Sequence, residues 1–283
     1  MSTPVIVDAH VHLWDPAQLH YPWLDGLPTL NRAYLPPDYM AASAKVNVSK
    51  FICVECGCEP AQSLAEVDWV SNLAKSEPRL KGIVAHAPLE NGEAVRAGLE
   101  KLANNSLVKG VRRNLQGERD ADFCLHPKFV TGVELLAEFG FTFDLCVRHE
   151  QLRSITQLAR RIPQVTFVLD HFGKPDVRGK RIEPWSTDLS ALASLSNVVC
   201  KISGITTEAT WQKWERADLE FYFDRALKCF GPDRVLFGSD WPVLTLATSH
   251  EHWVETVRAF LFSSKAIAQI KLFQTNAERI YRV

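Results

Sequence analysis

The chain of 283 residues has no run approaching the roughly 18 uninterrupted apolar residues that a membrane-spanning helix needs. Ahead of its first apolar run there is no basic segment leading into an apolar one, so no secretory signal is read and a cytoplasmic location is the expectation. Excess charge of one sign is missing as well: 32 Lys and Arg stand against 33 Asp and Glu, for a net charge of −1. Without a basic excess there is little to neutralise phosphates or an anionic bilayer, which argues against nucleic acid and membranes as partners. No glycine-rich phosphate loop follows any apolar run, so a nucleotide site on an open, doubly wound sheet has no support. Cysteine is scattered and odd in number, seven in all. Cys53, Cys56 and Cys58 lie close together, but no second Cys/His pair at structural-zinc spacing accompanies them. Reduced core thiols are therefore the reading, rather than disulfides or a zinc knuckle. No linker, low-complexity segment or charge run divides the chain, which is read as one domain over 1–283.

What the sequence does contain is a repeated apolar signal. Hydrophobic residues make up 46% of it, enough for a large core. Stretches rich in Val, Ile and Phe recur at 5–13, 50–57, 80–89, 108–115, 141–147, 165–172, 197–204 and 234–243. Most are continuous rather than alternating, as in strands of a parallel sheet covered on both faces. Their starts are spaced close to the roughly 30 residues that a strand and its crossover helix occupy. Between them, apolar residues at helical spacing mark 61–75, Phe129/Val133/Leu136 before Gly140, Leu152/Ile155/Leu158/Ile162, Leu219/Phe223/Ala226/Leu227/Phe230 before Gly231-Pro232, and Trp253/Val257/Leu261. Eight such units predict an α/β fold, a single-domain (β/α)8 TIM-type barrel, regular or distorted, with the open sheet as the alternative. Residues 16–37, without a clear period, are expected to form a long loop over the top of the barrel.

In a barrel of this kind chemistry sits at the C-terminal ends of the strands. The first run reads VIVDAHVHL, and a period of two aims His10 and His12 at one point in the barrel mouth. The sixth ends in LDHFGKP, with Asp170 and His171, and the eighth in FGSDWP, with Asp240. The second ends in VECG, with Glu55, and the fourth in GVRRN, with Arg112 and Arg113. So many ionisable groups cannot be satisfied by an apolar core; they need one another, a metal or a substrate. Each alone has a plainer reading. A single strand-end His is commonly a structural hydrogen-bonding residue, an Asp before Trp-Pro can cap a helix, and Glu55 can form a salt bridge to Arg112 or Arg113. His86 and His149, beyond the third and fifth runs, are either substrate contacts or loop residues. Trp14 and Trp241 are candidates to line the pocket because their sequence neighbours are site residues.

Taken in order, His10-x-His12, VKGVRR with Arg112 and Arg113, LDHFGKP with His171, FGSDWP with Asp240, and NAERIY at 276–281 resemble the amidohydrolase superfamily, in its "amidohydrolase 2" branch of lactonases. The resemblance runs over nearly the whole chain. It implies a distorted (β/α)8 barrel and hydrolysis of a cyclic ester, with His10, His12, His171 and Asp240 around the reaction centre. Three imidazoles and a carboxylate suit one divalent ion, Zn2+ first, to which Glu55 would add a further ligand. A second ion is disfavoured by the positive charges of Arg112 and Arg113. The roles implied are Asp240 as base, His171 beside it, Arg112 on the oxyanion, and Arg112, Arg113, His149, His86, Trp14 and Trp241 as substrate contacts. The small-molecule substrate expected is a sugar-acid lactone of the L-rhamnono- or L-fuconolactone kind. The alternatives are a pyrone-dicarboxylate-type lactonase, a type thought to work without a required metal, and a related decarboxylase. Glu55 would repel a dicarboxylate, which favours the neutral ring. The sequence sets neither the sugar nor the oligomeric state.

Overall fold

The computed structural model describes residues 5–261 and 265–283. Eight parallel strands form one sheet in chain order: β1 (Ile6–Val11), β2 (Val48–Val54), β3 (Leu80–His86), β4 (Val108–Arg112), β5 (Thr142–Leu145), β6 (Phe167–Leu169), β7 (Val198–Ile202) and β8 (Val235–Phe237). Each falls within, or within two residues of, an apolar run read from the sequence. Most stop short of the run's end because the last residues bend away to carry polar groups. After Leu169, for example, residues 170–173 form a turn instead of more strand. The barrel closes unevenly. Among the described residues one isolated bridge, Val11 to Trp241, joins β1 to the segment that follows β8, supported by His12 N–H donating to the Trp241 carbonyl at 2.7 Å and Asp240 N–H to the His10 carbonyl at 2.8 Å.

Helices α1 (Pro36–Ala42), α2 (Ser63–Ala74), α3 (Arg96–Ala103), α4 (Pro127–Phe139), α5 (Leu152–Arg161), α6 (Trp185–Ala193), a short α7 (Ile205–Glu208), α8 (Arg216–Phe230), α9 (His250–Phe260), α10 (Ala266–Ile270) and α11 (Asn276–Tyr281) complete the chain. The local chemistry explains their limits. α4 begins with Pro127, whose missing N–H costs nothing at a helix start, and stops at Gly140 in the left-handed region (φ 64°). α5 buries Leu152, Ile155 and Leu158 completely against the barrel. No described helix is long and apolar enough to cross a membrane.

Apolar residues form two layers. Between strands and helices lies the larger core. Inside the barrel is a smaller cluster of Val7, Ala9, Ile52, Val54, Val84, Val168, Val199 and Leu236, with Ala277 and Tyr281 of α11 packed against it. Filling the interior this way makes the barrel a packed core rather than a pore. Polar residues at the strand ends then sit on an apolar floor.

Candidate active site

β1 carries the first two groups, and it is not a regular strand. Its pairing with β2 shifts register between Asp8 and Val11. Ala9 packs inward with Val7, and His10 turns inward as well, which a bulge permits. Each imidazole uses Nδ1 to fix its ring. His12 Nδ1 faces the Val54 carbonyl at 2.9 Å, His10 Nδ1 faces Asp170 Oδ1 at 3.3 Å, and His171 Nδ1 faces Ser203 Oγ at 2.9 Å. Placing the proton on Nδ1 of His10 and His12, as these acceptors require, leaves their Nε2 lone pairs facing each other at 3.1 Å. Asp240 Oδ1 completes the group, 3.6 Å from His10 Nε2, 3.4 Å from His12 Nε2 and 3.9 Å from His171 Nε2.

Two lone pairs and a carboxylate oxygen at such separations suit a cation among them. In a tetrahedral zinc site with bonds of about 2.0–2.2 Å, ligand atoms stand about 3.3–3.6 Å apart. The two distances to Asp240, 3.6 and 3.4 Å, fall in that range and the 3.1 Å between the imidazoles lies just below it, and the three residues form a group able to hold a metal ion. The surrounding charges agree. Glu55, Asp144, Asp170 and Asp240 are buried, and the cations facing them are Arg112 and Lys201. Two negative charges are left over, which a divalent ion balances.

Burial pulls His10 well below the usual imidazole range and His171 down to about 4, so both rings are neutral at physiological pH. Burial alone would raise Asp240, but His171, His12 and His10 together hold its carboxylate well below the ordinary range. Asp170 is likewise held low against burial by Lys201 and His10.

Backbone strain marks the same place. His171, Phe172, Gly173 and Lys174 all have positive φ (55°, 58°, 69° and 47°), and so does Asp240 (62°). A non-glycine residue in this region costs on the order of 1 kcal/mol or more, and such residues concentrate at functional sites. The turn is held by Lys174 N–H donating to the His171 carbonyl at 2.8 Å and by Trp185 Nε1 donating to the Phe172 carbonyl at 2.7 Å. Its effect is to bring His171 and Lys174 to the wall of a cavity of about 450 Å3, a size suited to a small molecule. His12, Arg112, Asp240, Asn114, Gln116 and Trp23 line the same space.

The family model described as amidohydrolase matches residues 7–283. The chain belongs to the amidohydrolase family. An L-fucono-1,5-lactonase of Burkholderia multivorans is 32% identical over 276 residues, 93% of this chain and 90% of that one. An L-fucono-1,5-lactonase of Burkholderia ambifaria is 29% identical over 242 residues, covering 85% and 81%. Among solved structures, an amidohydrolase from Burkholderia multivorans with bound zinc superimposes with a TM-score of 0.88 at 31% identity, covering 99% of both chains.

Within this amidohydrolase the residues singled out from the sequence divide into two groups. His12, His171, Asp240 and Arg112 line the cavity, and His10 is buried against them. Glu55 does not join the group around Asp240. Its Oε1 accepts from Arg112 Nε at 2.6 Å and its Oε2 from Gly57 N–H at 2.7 Å, so both oxygens are occupied and the salt-bridge reading describes it. Arg112 is correspondingly committed: Nη2 donates to the Glu55 carbonyl at 2.7 Å, and Nη1 lies 3.3 Å from Asp170 and 3.4 Å from His10 Nε2. Arg113 points elsewhere, to Glu90 at 3.0 Å and Glu118 at 2.7 Å. Trp14 is fully buried, its Nε1 donating to the Leu30 and Arg32 carbonyls at 3.2 and 2.9 Å, and it anchors the loop after β1. Trp241 packs edge-on to Tyr34 and tilted against Tyr39. His149 pairs with its neighbour Glu150 at 3.2 Å. His86 ends β3, where burial lowers it and the Glu55 charge opposes that.

Sequence reasoning passed over several residues. Trp23, from the loop over the barrel, replaces Trp14 as the aromatic on the cavity wall, and its Nε1 donates to the Cys56 carbonyl at 2.7 Å. Lys174 stood in the LDHFGKP motif without a role. Lys201 and Asp144 lie deeper, fully buried and 2.6 Å apart. Their signal was present: a Lys inside VVCKI and an Asp inside TFDL are charges in otherwise buried strands, and buried charges must be paired.

Proposed function

We propose that this amidohydrolase opens the ring of a sugar-acid lactone of the L-fuconolactone or L-rhamnonolactone type to give the aldonic acid. The observation that carries the reading is the convergence of the His10, His12 and His171 Nε2 atoms on Asp240 Oδ1 at a small-molecule cavity. The lactonase names of its relatives give the reaction class. His10, His12 and Asp240 would hold a divalent ion, most simply Zn2+, with His171 alongside; when bound it supplies Lewis-acid polarisation of the carbonyl and acidifies water.

The chain's own groups supply the rest. Asp240, deprotonated across the physiological range, accepts a proton from the attacking water as oxygen adds to the lactone carbonyl carbon. The bond from that carbon to the ring oxygen then breaks. The proton passes from Asp240 to the ring oxygen as it leaves, and the carboxylic acid formed at the former carbonyl carbon releases the second proton of the water to solvent, leaving the carboxylate. Arg112 keeps Glu55 and Asp170 in place, with Nη1 beside the reacting centre. Asn114 and Gln116 offer amides suited to hydroxyl groups. The neutral ring is favoured over a dicarboxylate because the cations on the cavity wall are already answered: Arg112 by Glu55, and Lys174 by Glu208 at 3.4 Å. Cytoplasmic location and a role in carbohydrate metabolism follow from this reading.

The test is hydrolysis of a panel of five- and six-membered aldonolactones and pyrone dicarboxylate, followed by proton release, with the protein as purified, chelated and resupplied with Zn2+. Turnover of an L-sugar lactone that collapses on chelation and falls about 100- to 10,000-fold in Asp240→Asn is expected. No turnover of any lactone overturns the substrate class, and turnover indifferent to chelation overturns the metal's part in it.

A further inference from the structure

Asp8 is the member of the Asp8/His10/His12 series that the mechanism leaves unused. It is fully buried, and its side chain lies on the side of β1 away from the cavity, among the outer helices. Four donors from four parts of the chain meet on its carboxylate. Oδ1 accepts from His10 N–H at 3.2 Å and from Ser239 N–H at 2.8 Å. Oδ2 accepts from Tyr39 Oη in α1 at 2.8 Å and faces His250 Nε2, at the start of α9, at 3.2 Å. One oxygen thus binds the backbone of His10 and the backbone of the residue immediately before Asp240.

This matters because of where it happens. Among the described residues the seam between β1 and the end of β8 has one isolated bridge, from Val11 to Trp241 just after β8, instead of a ladder. β1 is irregular between Asp8 and Val11, and Asp240 is in a left-handed conformation. Neither strand is held at these residues by regular pairing alone. Beside the Asp240 N–H bond to the His10 carbonyl, the two elements that must present His10 and Asp240 to each other are joined here by a side chain.

We propose that Asp8 is a positioning residue that fixes the separation of His10 and Asp240 by clamping β1 to β8, with Tyr39 and His250 holding the clamp itself from behind. The consequence for metal binding rests on the metal reading of His10, His12 and Asp240; the clamp does not. Partners that orient metal ligands typically change metal affinity by 10- to 100-fold when removed.

The experiment uses the full chain stripped of metal. Zn2+ affinity is measured by competition with a chromophoric chelator, and backbone amide exchange is followed in the peptide covering residues 235–245, with the β7 peptide as internal reference. Asp8→Ala is expected to weaken Zn2+ binding about 10- to 100-fold and to speed exchange in 235–245 alone. Asp8→Ser, whose single shorter oxygen cannot span the seam, replaces it if the alanine variant does not fold. Tyr39→Phe leaves both Oδ1 bonds intact and is expected to lower the melting temperature while leaving Zn2+ affinity within twofold. Wild-type Zn2+ affinity together with unchanged exchange in the Asp8 variant overturns the proposal. So does an equal loss of affinity in Tyr39→Phe, which would make the effect one of general packing. If the wild-type protein binds no Zn2+, the metal reading has failed and exchange alone decides the clamp: faster in 235–245 supports it, unchanged overturns it.

Discussion

Replacing Lys201 by Met tests the charges beneath the site. Lys201 Nζ lies 2.6 Å from Asp144 Oδ2 and 3.1 Å from Asp170 Oδ1, with all three side chains fully buried. Met keeps most of the apolar stem, so the perturbation is loss of charge. At an effective dielectric of about 20, each contact is worth roughly 5–6 kcal/mol of gross attraction, most of it offset by the cost of desolvating the ammonium. Removing one member of a buried ion pair typically costs about 3–5 kcal/mol net. Here the low end applies, because Asp144 keeps the Tyr281 hydroxyl at 2.6 Å and the Thr142 hydroxyl at 3.1 Å, and Asp170 keeps Arg112 at 3.3 Å. The expected loss is therefore about 3 kcal/mol at pH 8, or roughly 6 °C in Tm. The loss depends on pH with a definite sign. Burial already raises Asp144, and Lys201 is the largest influence lowering it. Without Lys201 its folded value rises further above the unfolded one, so the variant gains stability as pH falls and the carboxyl protonates. Urea unfolding followed by tryptophan fluorescence should show the gap from wild type narrowing between pH 8 and pH 5, and an added Asp144→Asn substitution should recover part of it. A gap below about 0.5 kcal/mol at pH 8 would refute the reasoning, as would an undiminished gap at pH 5.

Gly204→Ala should cripple the enzyme more than it unfolds it. A Cβ there would collide with His171 Nδ1, at a φ of 61° that alanine adopts only under strain, so His171 must move; kcat should fall at least about 100-fold, and wild-type kcat would show that His171 is not needed where it stands. Lys174→Met should raise KM for the best lactone by about 10- to 100-fold with a smaller change in kcat, the loss of a charge-assisted hydrogen bond at the cavity wall. Unchanged steady-state constants would show that the substrate does not reach it.

The barrel was legible in the sequence because most of the strands are covered on both faces and read as largely apolar runs. The helices α3 and α6 were not read, since each buries only a few large apolar side chains on a short face. His10, His12, His171 and Asp240 were legible as strand-end polar groups. What was misplaced depended on adjacency along the chain. Trp14 and Trp241 neighbour site residues in sequence, but the backbone direction carries both rings away from the cavity, into an aromatic cluster with Tyr34. Glu55 was ambiguous for another reason: a buried carboxylate serves a guanidinium as well as a metal, and only the 2.6 Å contact to Arg112 decides between them. The role of Lys174 depends on four consecutive left-handed residues, a conformation that residue identity alone does not specify.

The seam between β1 and β8 also has a consequence in time. Asp8 and Ser239 are 231 positions apart, so the contact between them joins the first strand of the barrel to the segment that follows the last. Contacts of such long range form late, after the intervening chain has ordered enough to offset the entropy of bringing its ends together. His10 and His12 wait on one side of that junction and Asp240 on the other. A nascent or truncated chain can hold half of the ligand set but not the whole. On the metal reading proposed above, tight capture of an ion would report that the ring has closed, and an unfinished molecule would neither sequester the ion nor catalyse ahead of its own completion.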